Sequence, residues 1–351
     1  MLRLTYRLLL AARVLLPSLF LLSACTAPTA AHREFLAMGS TVSVTLVDVK
    51  HSLAQTALGQ IETEVQQWSR DWYPWNASGE LAQLNAALAS GQTFDVRPEL
   101  AALLQRSQEL FRLSDGAFDP AVAPMVERWG FHAGERASNA VAPNAEHLAA
   151  WRAHRATLAD LRIDGRRISS SRRELMLDLG AIGKGRAVDL AIERLRSYGI
   201  ARALVNAGGN MRGIGAGPKR AWRVAIKDPR SATSLGWIEL RDDESISTSG
   251  DYERFALVEG KRAHHLLDPR AGSPATHTAA VTVLAGDATL ADAASTAVFV
   301  AGPTEWRNVA RRLGITDALR VEPNGKVEIS RSLRARFHVS QLTVNMQVVD
   351  L

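Results

Sequence analysis

The stretch Asp178-Leu-Gly-Ala-Ile-Gly-Lys-Gly-Arg-Ala-Val-Asp189 constrains this chain more than any other. Before it lies Glu174-Leu-Met-Leu177, an apolar run of strand length. After it, apolar residues from Ala187 to Leu195 recur at helical spacing, leaving Glu193, Arg194 and Arg196 for solvent. The glycines at 180, 183 and 185 therefore sit at a strand-to-helix junction, where they permit tight turns and close backbone approach. A helix start also offers unpaired N–H groups and a positive dipole end, which suit a phosphate, and Lys184 adds a point charge. The spacing lacks the Gly-Lys-Ser/Thr ending of a P-loop, and Gly180-x-x-Gly183 is not a dinucleotide fingerprint. The local pattern fits an anion site and a plain helix-start loop equally.

Residues 1–24 stand apart from the fold. Arg3, Arg7 and Arg13 precede or enter an apolar run that Pro17 interrupts and that is short for a membrane span. The run closes on Leu22-Ser-Ala-Cys25, which resembles a bacterial lipoprotein signal with Cys25 as the lipidated first residue of the mature protein. Several acyl chains would hold such a protein firmly on a membrane. Thr26, where an acidic residue is absent, leans towards the outer membrane of a Gram-negative host, with the protein facing the periplasm. Cys25 is the only cysteine, so no disulfide can staple the remainder and a hydrophobic core must hold it. A composition of 46% hydrophobic residues is ample for that. The net charge of +6 includes the three signal arginines, and what remains is too mild to argue for nucleic acid.

Helices and strands then intermix without a regular βαβ period, which reads as α+β. Residues 25–33 form a lipidated cysteine and tether, and 34–351 one large domain. Phe35 to Val47 reads as a strand by its Val42, Val44, Leu46 alternation, with Met38 near its start as a core-filling residue. Helices are expected over 53–68 and 98–114, and another over 288–300 that carries Asp292 and Thr296 on one face. Leu158 to Leu177 reads as a hairpin turning at Asp164-Gly165, and Gly134 to Ala156 as a surface helical excursion. Between the first two helices lies Trp68-Ser-Arg-Asp-Trp-Tyr-Pro-Trp75, dense in aromatics. Trp68 and Trp72 suit a small core there, and Trp75 suits stacking on a flat ligand. In Ser114-Asp-Gly-Ala-Phe-Asp-Pro120, Asp119 is read locally as a turn cap.

Several of these pieces together resemble one family, the ApbE-type flavin transferases. They are Met38-Gly-Ser-Thr, Glu80-Leu-Ala-Gln-Leu-Asn85, Asp115-Gly-Ala-Phe-Asp-Pro120, the 178–189 stretch and Asn206-Ala-Gly-Gly. To these are added Ile246-Ser-Thr-Ser-Gly-Asp, His265-Leu-Leu-Asp-Pro and Ala291-Asp-Ala-Ala-Ser-Thr-Ala. Their order is the family's order. The resemblance implies a T-fold-type domain of mixed sheets and packed helices. It implies FAD contacts at Met38, which packs on the flavin ring, and at Trp75, Ala117, Phe118, Asp119, Asp178, Lys184 and Leu267. It also implies an Mg²⁺ ion held by the carbonyl of Ala181, the carboxylate of Asp292 and the hydroxyl of Thr296. Ser295 stands where some members carry a further acidic residue. Spacing alone also fits a Thr296 bonded to its own helix and a solvated Asp292.

The activity implied is transfer of FMN from FAD to a threonine hydroxyl of an acceptor protein, with AMP released. The acceptors implied carry a Ser/Thr-Gly-Ala-Thr-like motif, as in subunits of sodium-pumping quinone reductase or the Rnf complex. His265 is the candidate base, since a proton must leave the attacking hydroxyl. His264 would point to the opposite face of an extended segment. Two other functions fit the same residues: a metal-dependent FAD pyrophosphatase, with water in place of threonine, and a non-catalytic FAD-binding lipoprotein.

Overall fold

The computed structural model describes residues 29–132, 142–258, 260–340 and 345–351. The signal segment 1–24, Cys25 and residues 134–141 of the expected helical excursion lie outside the described residues. Nine strands form one sheet whose spatial order is the order along the chain. They are β1 (Ala30–Ala37), β2 (Ser40–Val47), β3 (Ala203–Ala207), β4 (Asn210–Ile214) and β5 (Glu244–Gly250), then β6 (Ala280–Ala285), β7 (Asp317–Val321), β8 (Val327–Ser330) and β9 (Met346–Val349). Neighbours pair antiparallel as far as β8, and β9 joins parallel to β8. Antiparallel neighbours need only short links, so the long insertions between them are free to carry chemistry.

The expected single strand over 35–47 is in fact a hairpin. It turns at Met38 and Gly39, both with positive φ (55° and 66°), the geometry that matches the twist of a two-residue hairpin. Left-handed backbone is costly for methionine, and the Met38 N–H is held there by the Ser69 hydroxyl at 2.8 Å. Pairing begins at Ala30 opposite Val47, so the last residues of the expected 25–33 tether belong to the sheet.

The longest insertion lies between β2 and β3. It contains α1 (His51–Asp71), α2 (Glu80–Ala89), α3 (Pro98–Leu113), α4 (Ala123–Arg128), α5 (Ala145–His154) and α6 (Gly183–Ser197). A small sheet, Phe94–Asp95 with the hairpin Leu161–Asp164 and Arg167–Ser170, completes it. That hairpin turns at Gly165 as its sequence implies (φ 57°). A further long helix, α7 (Ala288–Arg312), connects β6 to β7 and is broken at Gly302 (φ 69°) before Pro303. The expected helix over 288–300 is its first half. Helix α8 (Arg331–Arg334) is short and precedes β9.

One face of the sheet buries α1 and α6. Val42, Val44 and Leu46 of β2 share a core with Leu58, Ile61 and Val65 of α1 and with Val188, Ile192 and Leu195 of α6. The opposite face is covered by the hairpin Arg223–Lys227 and Ser234–Glu239. There Val224, Ile226 and Ile238 meet Leu319, Val321, Val327 and Ile329. In β6, Val281 and Val283 join the core that contains α7, whereas Ala280 and Leu284 join the other. Both faces of that strand are buried.

The two helices that carry most of the candidate site, α6 and α7, meet at Gly185. A Cβ there would collide with the carbonyl oxygen of Ala288, lie 2.7 Å from its carbonyl carbon and sit 2.8 Å from Asp292 Cβ. Backbone cannot swing aside as a side chain can. Gly185→Ala is therefore expected to cost roughly 3 kcal/mol, the upper part of the overpacking range. Denaturant titration checks this, and an unchanged midpoint would mean that the helices part freely.

Residues 174–177 are not a strand, contrary to their composition. Asn85 of α2 takes the place of a neighbouring strand: its Oδ1 accepts the Leu177 N–H at 2.9 Å, and its Nδ2 donates to the Leu177 carbonyl at 3.0 Å. The segment is pinned by one buried amide side chain.

Candidate active site

The turn before α6 is tight. The Leu179 carbonyl accepts the N–H of both Ile182 (3.1 Å) and Gly183 (2.7 Å). Asp178 Oδ1 accepts the Gly180 N–H at 2.7 Å, and the Asp178 N–H donates to Pro120 O at 2.8 Å, which ties this turn to the 115–120 turn. Lys184 folds back, donating to the Gly180 carbonyl at 2.8 Å with its Nζ 4.0 Å from Asp292 Oδ1. The Gly185 N–H, in the first turn of α6, donates to Asp292 Oδ2 at 2.9 Å. Part of the helix's anion-binding capacity is thus already used by a carboxylate of α7.

Asp292 and Thr296 lie one turn apart on α7, as the spacing implies. Between them Ser295 is fully buried, 2.9 Å from the Asp292 carbonyl, 2.8 Å from Ser249 Oγ and 3.1 Å from Ser247 Oγ. Thr296 Oγ1 is 3.2 Å from Ser249 Oγ. Ser247 and Ser249 were not singled out individually by sequence. The Ser245-x-Ser-x-Ser249 alternation carries the signal, because period 2 places these hydroxyls on one face of β5.

These groups fit Mg²⁺. Asp292 is 3% exposed, and beyond one N–H its carboxylate has only an ammonium at 4.0 Å, so lone pairs remain for a cation. Burial pushes its pKa up, and Lys184 pulls against that. A carboxylate with neighbouring hydroxyls and the half-buried Ala181 at the α6 turn is a hard oxygen set. Among the described residues no group of three His, Cys, Asp or Glu could hold a metal. One carboxylate with hydroxyl and carbonyl oxygens is a partial shell of the kind that phosphate oxygens complete.

His265 is held by the backbone of Arg254, whose carbonyl lies 3.1 Å from both the His265 N–H and its Nδ1. A carbonyl only accepts, so Nδ1 carries the proton and Nε2 keeps a lone pair. Burial first, and then the Arg254 guanidinium, hold the ring's pKa well below the usual histidine value. Its neighbour His264 does face the other way. It is buried edge-on to Phe299 (5.5 Å between ring centres, 82°), and burial pushes its pKa down to about 4.

Lys184 also acts on Asp178 and His265, so four sequence-chosen side chains from three segments share one electrostatic neighbourhood. Asp178 is raised by burial and lowered by the Gly180 N–H, Arg254 and Lys184. The Met38 hairpin approaches the same place: a Cβ on Gly208 would strike the Ser40 hydroxyl and lie 3.8 Å from Lys184 Cδ. Met38 packs partly buried against two core clusters.

Aromatic side chains surround several of the remaining candidates. Trp68 and Trp72 stack at 5.8 Å and 9°, the small core expected of them. Trp75 stacks on His132 at 5.5 Å and 28°. Leu267, two residues beyond His265, is buried with Met125, Trp129 and Phe131. Ala117 and Phe118 are buried in the main core. Asp119 serves the protein: it accepts from the N–H of Ala121 (3.0 Å) and of Leu158 (3.3 Å), and from Arg155 (3.0 Å). Burial still pushes its pKa up to about 6. The turn-capping reading of Asp119 describes this geometry.

Residues 38–319 match the ApbE family. The chain is 40% identical over 319 residues to the FAD:protein FMN transferase of Rhodobacter capsulatus, covering 90% of this chain and 60% of that protein. It is 31% identical over 302 residues to the enzyme of the same name from Vibrio cholerae, covering 85% and 89%. In three dimensions it superposes on the ApbE protein of Thermotoga maritima with a TM-score of 0.80 at 30% identity, over 88% of this chain and 99% of that one. Pseudomonas stutzeri flavinyl transferase ApbE gives 0.77 at 32%, over 90% and 98%. On this likeness, which extends over most of the described residues, the chain belongs to the ApbE family of FAD:protein FMN transferases.

Proposed function

We propose that this chain transfers FMN from FAD to a threonine hydroxyl of an acceptor protein and releases AMP. The observation that carries the reading is the Lys184 ammonium 4.0 Å from the buried Asp292 carboxylate at the glycine-rich turn that Asp178 opens, with Asp178 and His265 within its electrostatic reach. The acceptor hydroxyl attacks the FMN-side phosphorus, a new P–O bond forms, and the pyrophosphate P–O bond to AMP breaks with its electron pair on the AMP oxygen. The proton of the attacking hydroxyl passes to His265 Nε2, whose lone pair the Arg254 carbonyl keeps free by holding the other nitrogen protonated. Lys184 places positive charge where negative charge gathers on the diphosphate. Asp292, Thr296 and the Ala181 carbonyl would hold Mg²⁺, which supplies charge neutralisation on the phosphates when bound.

The acceptors fitting this chemistry expose a Ser/Thr-Gly-Ala-Thr-like segment, as subunits of sodium-pumping quinone reductase or Rnf-type complexes do. A lipid on Cys25 would hold the enzyme at the membrane surface, facing the periplasm, beside such subunits. No helix among the described residues is long and apolar enough to cross a membrane.

Incubating residues 26–351 with FAD, Mg²⁺ and an acceptor domain, followed by mass spectrometry, tests the reading. The expected result is an acceptor heavier by one FMN, with AMP released in equal amount. Free FMN and AMP beside an unmodified acceptor would replace transfer with FAD hydrolysis. Intact FAD would remove both enzymatic readings and leave a flavin-binding protein.

A further inference from the structure

Two neighbouring buried nitrogens, one in the aromatic loop and one on His132, find no hydrogen-bond partner among the described residues. Trp75 Nε1 and His132 Nδ1 are both out of contact with water and without a hydrogen-bond partner. Elsewhere in the fold the indole nitrogens of Trp129, Trp151, Trp222 and Trp306 each find an oxygen, at 2.9, 2.7, 3.2 and 3.1 Å. Leaving one buried polar atom unpaired costs about 1–3 kcal/mol, so an unpaired couple at one place needs a reason.

The two orphans belong to rings that stack on each other, 5.5 Å apart and 28° from parallel. The pair is held from both sides. Tyr73 meets Trp75 edge-on at 5.5 Å, and the Tyr73 hydroxyl donates to the His132 carbonyl at 2.8 Å. On the other side His132 follows Phe131, which stacks on Trp129 and shares the Leu267 cluster. His132 thus stacks on Trp75, and its chain neighbour Phe131 packs in the cluster of Leu267, two positions that the family resemblance implies contact FAD.

We propose that His132 is a further FAD-binding residue, and that His132 Nδ1 and Trp75 Nε1 together hydrogen-bond the polar edge of one of FAD's two heteroaromatic rings. The indole can only donate, whereas the imidazole nitrogen can donate or accept. The partner is thus a ring edge with an acceptor beside a second polar position. The flavin pyrimidine edge and the amino-pyrimidine edge of adenine both present that chemistry, and FAD carries both. The inference rests on the flavin-transferase reading of the site.

The test measures binding of FAD, FMN and ADP by calorimetry, with apo-protein melting recorded alongside, for the wild type, His132→Phe, Trp75→Phe and the double variant. Phenylalanine keeps a stacking ring and removes the nitrogen. For His132→Phe the expected result is FAD binding weakened about tenfold, with apo-protein melting unchanged or raised because a buried orphan is gone. The loss should appear with FMN or with ADP and not with both, which identifies the ring. The double variant should lose less than the sum of the singles, because both nitrogens serve one ring. FAD binding within twofold of wild type in His132→Phe would overturn the inference alone. So would a variant whose stability and affinity fall together, since that marks a packing role. A wild-type protein that binds no FAD would instead overturn the transferase reading.

Discussion

Asp292→Asn should slow FMN transfer about 10²–10³-fold while leaving the fold as stable as before or more so. Asparagine has the same shape, and its carbonyl oxygen can still accept the Gly185 N–H that Asp292 Oδ2 accepts at 2.9 Å. Only the charge is lost. Within the fold that charge is poorly served: the carboxylate is 3% exposed, and the nearest cation is Lys184 at 4.0 Å. Burying a carboxylate so weakly paired costs stability, so its neutral isostere should relieve the fold. On the proposed function, the charge serves the diphosphate and a bound cation. Melting curves therefore provide a readout independent of turnover. Wild-type protein should gain several degrees from FAD with Mg²⁺ over FAD alone, and the variant should gain little. A variant that melts lower and turns over normally would mean that Asp292 is a structural residue.

How much of this was legible in the sequence depended on how far apart the partners lie. Helices whose apolar periodicity is internal were read nearly to their ends: 53–68 became His51–Asp71, and 98–114 became Pro98–Leu113. The i, i+4 placement of Asp292 and Thr296 is likewise a property of the helix itself. Failures arose where a distant group decided the backbone. Met38 turns a hairpin because Ser69 secures its N–H, and Met-Gly carries no ordinary hairpin signal. Glu174 to Leu177 has strand composition, yet Asn85 takes its hydrogen bonds from 92 residues away. The family resemblance names a set of chemical residues and says nothing of which are already engaged within the fold. Asp119 turns out to be occupied by Ala121, Leu158 and Arg155, whereas His132, which matches no motif, is left with a free nitrogen.

Asp189 is the sharpest case of a distant partner, and its removal should be the most destabilising single change in this part of the fold. The residue closes the glycine-rich stretch of α6, but its bonds go to α7 and β4. Its carboxylate accepts the N–H of Ala288 at 2.9 Å, the N–H of Thr289 at 2.8 Å and the Thr289 hydroxyl at 2.5 Å. It also pairs with the Arg212 guanidinium at 2.6 Å, and both side chains are buried. One aspartate thus caps the helix that carries Asp292 and Thr296, in company with Asp287, which accepts the Leu290 N–H at 2.6 Å. Asp189→Ala strands two helix N–H groups, a hydroxyl and part of a guanidinium without access to water. Breaking a buried pair from one side costs about 3–5 kcal/mol, a large share of the 5–15 kcal/mol that a domain commonly has. Arg212 would keep Asp243, at 2.9 Å from its Nε, which limits the loss on that side. Asp189→Ala with Arg212→Met should therefore recover only part of the stability, because the donors of α7 remain uncapped. Transfer should fall in both variants as the first turn of α7 loosens beside Asp292. A cost below about 1 kcal/mol in denaturant titration would mean that water reaches those donors and that α7 does not depend on this cap.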